Sequence, residues 1–219
     1  MKLRIVHVAL TLTALLVVTP RPASPQAAKR PPEAARSQAV AASYRGGLVD
    51  PPLPKPKFTL TDTSGGAFDL ASKTQGYVTL LFFGYTHCPD MCPNQMAMIG
   101  NALRNIPAEM ADQFKVVFVT TDPARDDSKV IRSWLDHFDK RFIGLTGTDS
   151  AIRAAQIASN LPPAEKSAPR PDGTYEVGHA AFVLAYTKDN LSHVIYPVGM
   201  KLEDLTHDLP LLIKETWGK

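Results

Sequence analysis

The chain has 219 residues, 44% of them apolar and 21% charged, which is ordinary globular usage and argues against global disorder and a multi-span membrane protein. Residues 1–30 carry five of the 24 basic side chains and none of the 21 acidic ones, so the formal net charge of +3 is concentrated there and the remainder is slightly acidic. A nearly neutral body without clustered cations excludes a nucleic-acid partner.

The first predicted element is an export segment over residues 1–28. Lys2 and Arg4 give it a basic start, and residues 8–18 are apolar apart from Thr11 and Thr13, with Pro20 closing the run. That length suits a signal segment better than a membrane span of ~20 residues. Pro25 and Gln26 spoil the small-residue pattern of a cleavage site, so cleavage and retention as an anchor both stay open. The protein is therefore expected to be exported, periplasmic, and either soluble or tethered to the inner membrane. That compartment is oxidising.

Residues 20–56 hold nine of the 19 prolines and no apolar periodicity. Residues 29–56 are predicted to be a flexible, Pro-rich linker. The folded domain is assigned to residues 57–219, where apolar patterning begins. A hairpin is predicted around Ser64-Gly65-Gly66. Residues 77–83 and 114–120 are continuous apolar runs and read as buried strands. Helical spacing runs over 93–106, 126–138, 149–159 and 202–217. Short strands are predicted at 142–145, 180–186 and 194–197, and a loop over 162–173 ends on the turn pair Asp172-Gly173. The order gives an α/β domain with a central mixed sheet flanked by helices and an N-terminal β-hairpin, a thioredoxin-like arrangement.

The only two cysteines stand in Cys88-Pro89-Asp90-Met91-Cys92, between a buried strand and the helix predicted from Pro93. Helix N-terminal N–H groups and the dipole favour a thiolate there, so the pKa of Cys92 is expected to be lowered. A structural disulfide, a redox dithiol and a soft-metal site all fit this pair. Thiolates select copper(I) or zinc, and two are too few for a closed structural zinc centre, so a metal needs another ligand. Of six histidines, His7, His137, His193 and His207 read as surface or structural residues, and the adjacent His87 points away from Cys88. His179 precedes the strand predicted at 180–186, whose entry faces the cysteine turn in such a sheet. Topology alone leaves ligand and satisfied loop residue both standing for it.

The run Phe83-Gly84-Tyr85-Thr86-His87-Cys88-Pro89-Asp90-Met91-Cys92-Pro93 closely resembles the signature of the Sco/SenC family of copper-binding proteins. Thr121-Asp122-Pro123-Ala124-Arg125-Asp126 and Leu145-Thr146-Gly147-Thr148 are similar to two further family motifs, in order. The resemblance implies Cu(I) or Cu(II) held by Cys88, Cys92 and His179, with the same cysteines able to form a redox-active disulfide. It implies delivery of copper to the dinuclear centre of cytochrome c oxidase subunit II by a metallochaperone rather than an enzyme. Another periplasmic copper chaperone or a thioredoxin-like reductase would be a further partner, and the protein itself a monomer. The alternative is a thiol–disulfide oxidoreductase that reduces that centre's cysteines. Asp90, Asp122 and Arg125 are candidates for support around the ligands, although a turn and a helix cap would explain them too. Many family members carry an acidic residue before the histidine, where this chain has Gly178.

Overall fold

In the computed structural model, which describes residues 43–214, the two apolar runs lie side by side at the centre of an eight-stranded sheet. In chain order the elements are β1 (Gly47–Pro54), β2 (Thr59–Asp62), β3 (Ala67–Asp69), α1 (Leu70–Lys73), β4 (Val78–Gly84), α2 (Met91–Arg104), α3 (Ala108–Ala111) and β5 (Phe114–Thr120). Then come α4 (Ser128–Leu135), β6 (Ile143–Thr146), α5 (Asp149–Ala158), β7 (Glu165–Lys166), β8 (Val177–Gly178), β9 (Phe182–Tyr186), β10 (Leu191–Pro197) and α6 (Leu202–Lys214). The sheet order is β1-β10-β9-β4-β5-β6-β2-β3, with β4, β5 and β6 parallel and the other pairings antiparallel. This is the expected mixed sheet, and β2 and β3 are the expected hairpin.

Burial on both faces explains the unbroken apolar runs. Val78, Leu80 and Phe82 of β4 pack with Met96 and Ile99 of α2 and with Leu205, Leu209 and Leu212 of α6. Leu81 and Phe83 point the other way, into a second cluster with Ile152 and Ala155 of α5 and with Leu60 and Phe68 of the hairpin. The alternation is the period-2 geometry of a strand.

The linker reading of residues 29–56 needs correction, because Gly47–Pro54 forms strand β1 against β10. Its prolines hid it. They sit on an edge strand, where the register shifts between Leu48 and Leu53 and a missing N–H costs little. Gly46 is required for that approach, since a Cβ there would lie 2.5 Å from Val194 Cγ1 and 2.6 Å from Tyr196 Cε1. The buried Asp208 carboxylate accepts the N–H groups of Arg45 and Gly46 and fastens the entry to β1. The predicted 162–173 loop contains part of a small antiparallel ladder, Glu165↔Gly178 and Lys166↔Val177. The export segment, the linker up to residue 42, His7, and the end of the last helix through Trp217 lie outside the described residues. No helix among the described residues is long and apolar enough to cross a membrane.

Candidate metal centre

The site forms where β4 runs out. Gly84 ends the strand, residues 85–90 make the turn, and α2 begins at Met91, so Pro93 falls in its first turn where its missing N–H is harmless. Cys92 therefore lies inside the helix, one step further in than the sequence suggested. Both cysteines are free, Cys88 at 7% exposure and Cys92 at 0%. The Cys88 N–H donates to Tyr85 O at 3.3 Å, and Cys88 Sγ accepts the N–H of Cys92 at 3.4 Å. Gly84 leaves room for the second thiol, since a Cβ there would stand 3.1 Å from Cys92 Sγ.

His179 arrives from the β9 flank of β4, opposite β5. It follows β8 and comes just before β9, which runs antiparallel to β4, so its segment enters at the end of β4 that carries the cysteines. Its Nε2 lies 3.5 Å from Cys92 Sγ. Its Nδ1 is 3.0 Å from Ala180 O, a carbonyl that can only accept, so Nδ1 carries the proton and the Nε2 lone pair faces the thiol. The rings of Phe82 and Tyr85 meet the imidazole edge-on, with centroids 6.1 and 5.9 Å away. Burial lowers the His179 pKa, with the Ala180 carbonyl partly opposing it, and keeps the ring neutral.

Burial also decides the state of Cys92, against the sequence expectation. Desolvation pushes its thiol far above the ordinary range, and the nearby Cys88 and Asp126 add to this, while a backbone hydrogen bond with Tyr85 only partly opposes it. A helix terminus is worth a few tenths of a kcal/mol to about 1 kcal/mol, too little to offset full desolvation of a thiolate. Among the described residues no three His, Cys, Asp or Glu side chains are already close enough to hold a metal ion. The contacts run from Cys88 to Cys92 and from Cys92 to His179.

The second motif braces this turn. Thr120 and Gly84 are register partners in the parallel β4–β5 pair, so residues 121–126 emerge beside the cysteine turn. The buried Asp126 carboxylate accepts Thr86 N at 2.9 Å, Thr86 Oγ1 at 2.6 Å and Thr120 Oγ1 at 2.7 Å. It does not cap α4; that is done by Asp127, whose side chain accepts Val130 N at 2.8 Å. Asp122 is also fully buried and binds Arg125. Burial works against its charge, yet Arg125, Tyr175 and Lys166 outweigh that and hold its pKa below the carboxylate norm. Asp90 stands at the N-cap position of α2 without a side-chain capping bond, and its carboxylate takes Asn94 Nδ2 at 2.5 Å instead. His87 is half exposed, 3.1 Å from Thr86 Oγ1. Met91 is 45% exposed. A side chain at Gly178 would meet only Glu165 O, at 3.8 Å, so nothing steric requires glycine before the histidine.

Sequence reasoning missed Asp126 as the brace of the turn, and Tyr175 and Lys166 as partners of Asp122. Two adjacent aspartates look alike in a string, and the 162–178 segment has no periodicity to mark it.

The SCO1/SenC family model matches residues 50–214. An SCO2-like protein of Rickettsia prowazekii is 30% identical over 146 residues, 66% of this chain and 70% of that one. Among solved structures, apo Sco1 of Thermus thermophilus superposes with a TM-score of 0.69 at 30% identity, covering 78% of this chain and 97% of that one. ScoI of Bradyrhizobium japonicum, with copper bound, gives 0.65 at 31% identity over 74% of this chain and 99% of that one. A match from β1 to the end of α6, on the fold and motifs described, shows that this chain belongs to the SCO1/SenC family.

Proposed function

We propose that this protein is an exported copper metallochaperone that binds copper through Cys88, Cys92 and His179 and delivers it to the dinuclear copper centre of cytochrome c oxidase subunit II. The observation that carries the reading is the bare Nε2 of a neutral His179, 3.5 Å from Cys92 Sγ with Cys88 one helical turn away. Two soft sulfurs and one imidazole in an apolar pocket suit copper. Copper-bound ScoI, at 31% identity, supports the choice of metal. Both thiols must lose their protons on loading, so binding is coupled to pH and to the reduced state of the pair.

A second reading rests on Cys88. Its sulfur is slightly exposed and accepts the Cys92 N–H, and Cys92 stands behind it as a resolving thiol. The protein would then reduce the target's cysteines rather than load them. Against a general oxidoreductase, Ala180 and Ala181 precede β9 where thioredoxin-type enzymes place a proline.

The test uses the reduced, full-length protein. Cys88→Ser or Cys92→Ser should abolish tight Cu(I) binding, and His179→Ala should change the Cu(II) absorption and EPR spectra; unaltered behaviour in all three variants would sink the site. Copper-loaded protein and metal-free reduced protein are then mixed separately with an apo copper-centre domain. Copper on the target supports delivery, thiols without copper support reduction, and neither product refutes both.

A further inference from the structure

His179 is carried by a hairpin outside the main sheet: β7 and β8 form their own two-stranded ladder. Val177 packs into the core and Ala164 bonds to Arg153 and Gln156 of α5, and three further contacts of the hairpin and its junction converge on one carboxylate. Tyr175 Oη donates to Asp122 at 2.9 and 3.1 Å, and Lys166 Nζ is 3.2 Å from Asp122 Oδ1. Tyr175 and Lys166 both belong to the hairpin, whereas Asp122 and Arg125 belong to the loop after β5. Arg125 completes the junction, since its Nη1 donates to Tyr175 O at 3.2 Å and its guanidinium lies 3.7 Å from the Tyr175 ring centroid.

We propose that Tyr175 and Lys166 are positioning residues that lock the His179-bearing hairpin onto the buried Asp122 carboxylate, and so set whether the imidazole reaches the thiol pair. This rests on the copper reading above and adds to it the residues that present the third ligand. Tyr175 is four residues before His179 along an extended segment, so its anchorage fixes the path on which the imidazole is delivered. The body side holds its shape independently: Asp122 N–H donates to Thr120 Oγ1 at 2.9 Å, and Arg125 is bound to Asp122 without the hairpin. A carboxylate with 0% exposure is costly to bury unless several donors meet it, so the hairpin has one favoured seat rather than several. Groups that hold a metal-binding histidine in place commonly change metal affinity by 10–100-fold without touching the metal. The thiols lie on α2 and its preceding turn, off this junction, so the lock bears on the imidazole and leaves the dithiolate alone.

The test removes only the hairpin-side donors. Tyr175→Phe combined with Lys166→Met leaves Asp122 paired with Arg125, which avoids an orphaned buried charge. In the metal-free, full-length double variant, exchange of the Ser167 amide, which donates to Glu176 O, and of the Arg170 amide, which donates to Thr174 O, should accelerate about tenfold, with β4 and β5 amides unchanged. Cu(II) affinity should fall about tenfold and the nitrogen hyperfine signal of His179 should weaken, with Cu(I) affinity retained. Tyr175→Phe alone, which keeps the ring under Arg125, should move each readout the same way by less. Unaltered exchange and an unaltered Cu(II) spectrum would overturn the lock, as would an equal loss of Cu(I) and Cu(II) binding. His179→Ala, run alongside, separates the two ideas. If it changes the Cu(II) spectrum and the double variant does not, the lock falls and the site stands; if neither does, the site falls and takes the lock with it.

Discussion

Asp126 and Asp127 are neighbours in sequence with different work, and truncating each tests the account of the cysteine turn. Asp126→Ala removes the acceptor of Thr86 N–H, Thr86 Oγ1–H and Thr120 Oγ1–H. The Thr86 hydroxyl is half-buried and has another partner in His87 Nδ1 at 3.1 Å. The Thr86 N–H and the fully buried Thr120 hydroxyl lose their acceptor, and an unmet buried donor costs roughly 1–3 kcal/mol. Part of that is returned, because the variant no longer buries a carboxylate. The expected loss is about 3 kcal/mol, or about 6–12 °C in Tm for a domain of this size. Asp127→Ala loses one exposed capping bond to Val130 N, about 1 kcal/mol and about 2–4 °C.

The assay is urea unfolding of the reduced protein, with the alkylation rate of Cys88 measured in the folded state. Asp126→Ala should lower stability by the larger amount and speed alkylation, since Thr86 lies two residues before Cys88 and loses its tether. Asp127→Ala should leave alkylation unchanged. Equal stability losses, or a large loss with no change at Cys88, would refute the assignment of Asp126 to the turn.

Gly84→Ala places a Cβ 2.9 Å from Phe82 Cε1 and 3.1 Å from Cys92 Sγ, which should cost about 1–3 kcal/mol by overpacking and weaken Cu(I) binding by shifting the sulfur. Retained affinity together with retained stability would show that the pocket yields more easily than its packing implies. Lys55 is buried against Thr74 and Thr79 hydroxyls, and desolvation lowers its pKa from 10.5 to about 8, with Asp189 partly opposing. Its folded pKa is thus below its unfolded one, so the unfolded chain binds more protons between pH 8 and 10.5 and stability should rise across that window, by no more than about 3 kcal/mol. Lys55→Met should flatten the rise in chemical-unfolding titrations, and parallel curves would place the titration elsewhere.

Most of the fold is legible because its strongest signals are long and apolar. The runs at β4 and β5 permit only buried central strands, and the helical spacing from Met96 to Leu103 marks the face that covers them. What escapes is what depends on an edge or on another segment. Strand β1 carries Pro51, Pro52 and Pro54, residues that mean linker in isolation and are tolerated because, among the described residues, no strand pairs with one side of β1. The start of α2 lies two residues before Pro93 because proline is allowed anywhere in a first turn, so it marks a neighbourhood rather than a boundary.

The site divides along the same line. Its candidate donors are legible since chemistry restricts them: two cysteines in the whole chain, and one histidine whose strand enters at the right end of the sheet. Gly84↔Thr120 pairing makes the cysteine turn and residues 121–126 leave the sheet together, and the antiparallel β9 starts at that end, so all three segments must converge. That convergence does not say which of Asp122, Asp126 and Asp127 faces inward, because neighbouring residues differ in orientation and not in composition. Nor does it give the state of the thiol. The helix terminus sets a favourable field at Cys92, but a side chain with 0% exposure is governed first by desolvation, a quantity fixed by Phe82, Met96 and the rest of the packed cluster. A ligand's identity is a local fact and its ionisation a tertiary one, and the two come apart most where a reactive group is drawn into the core.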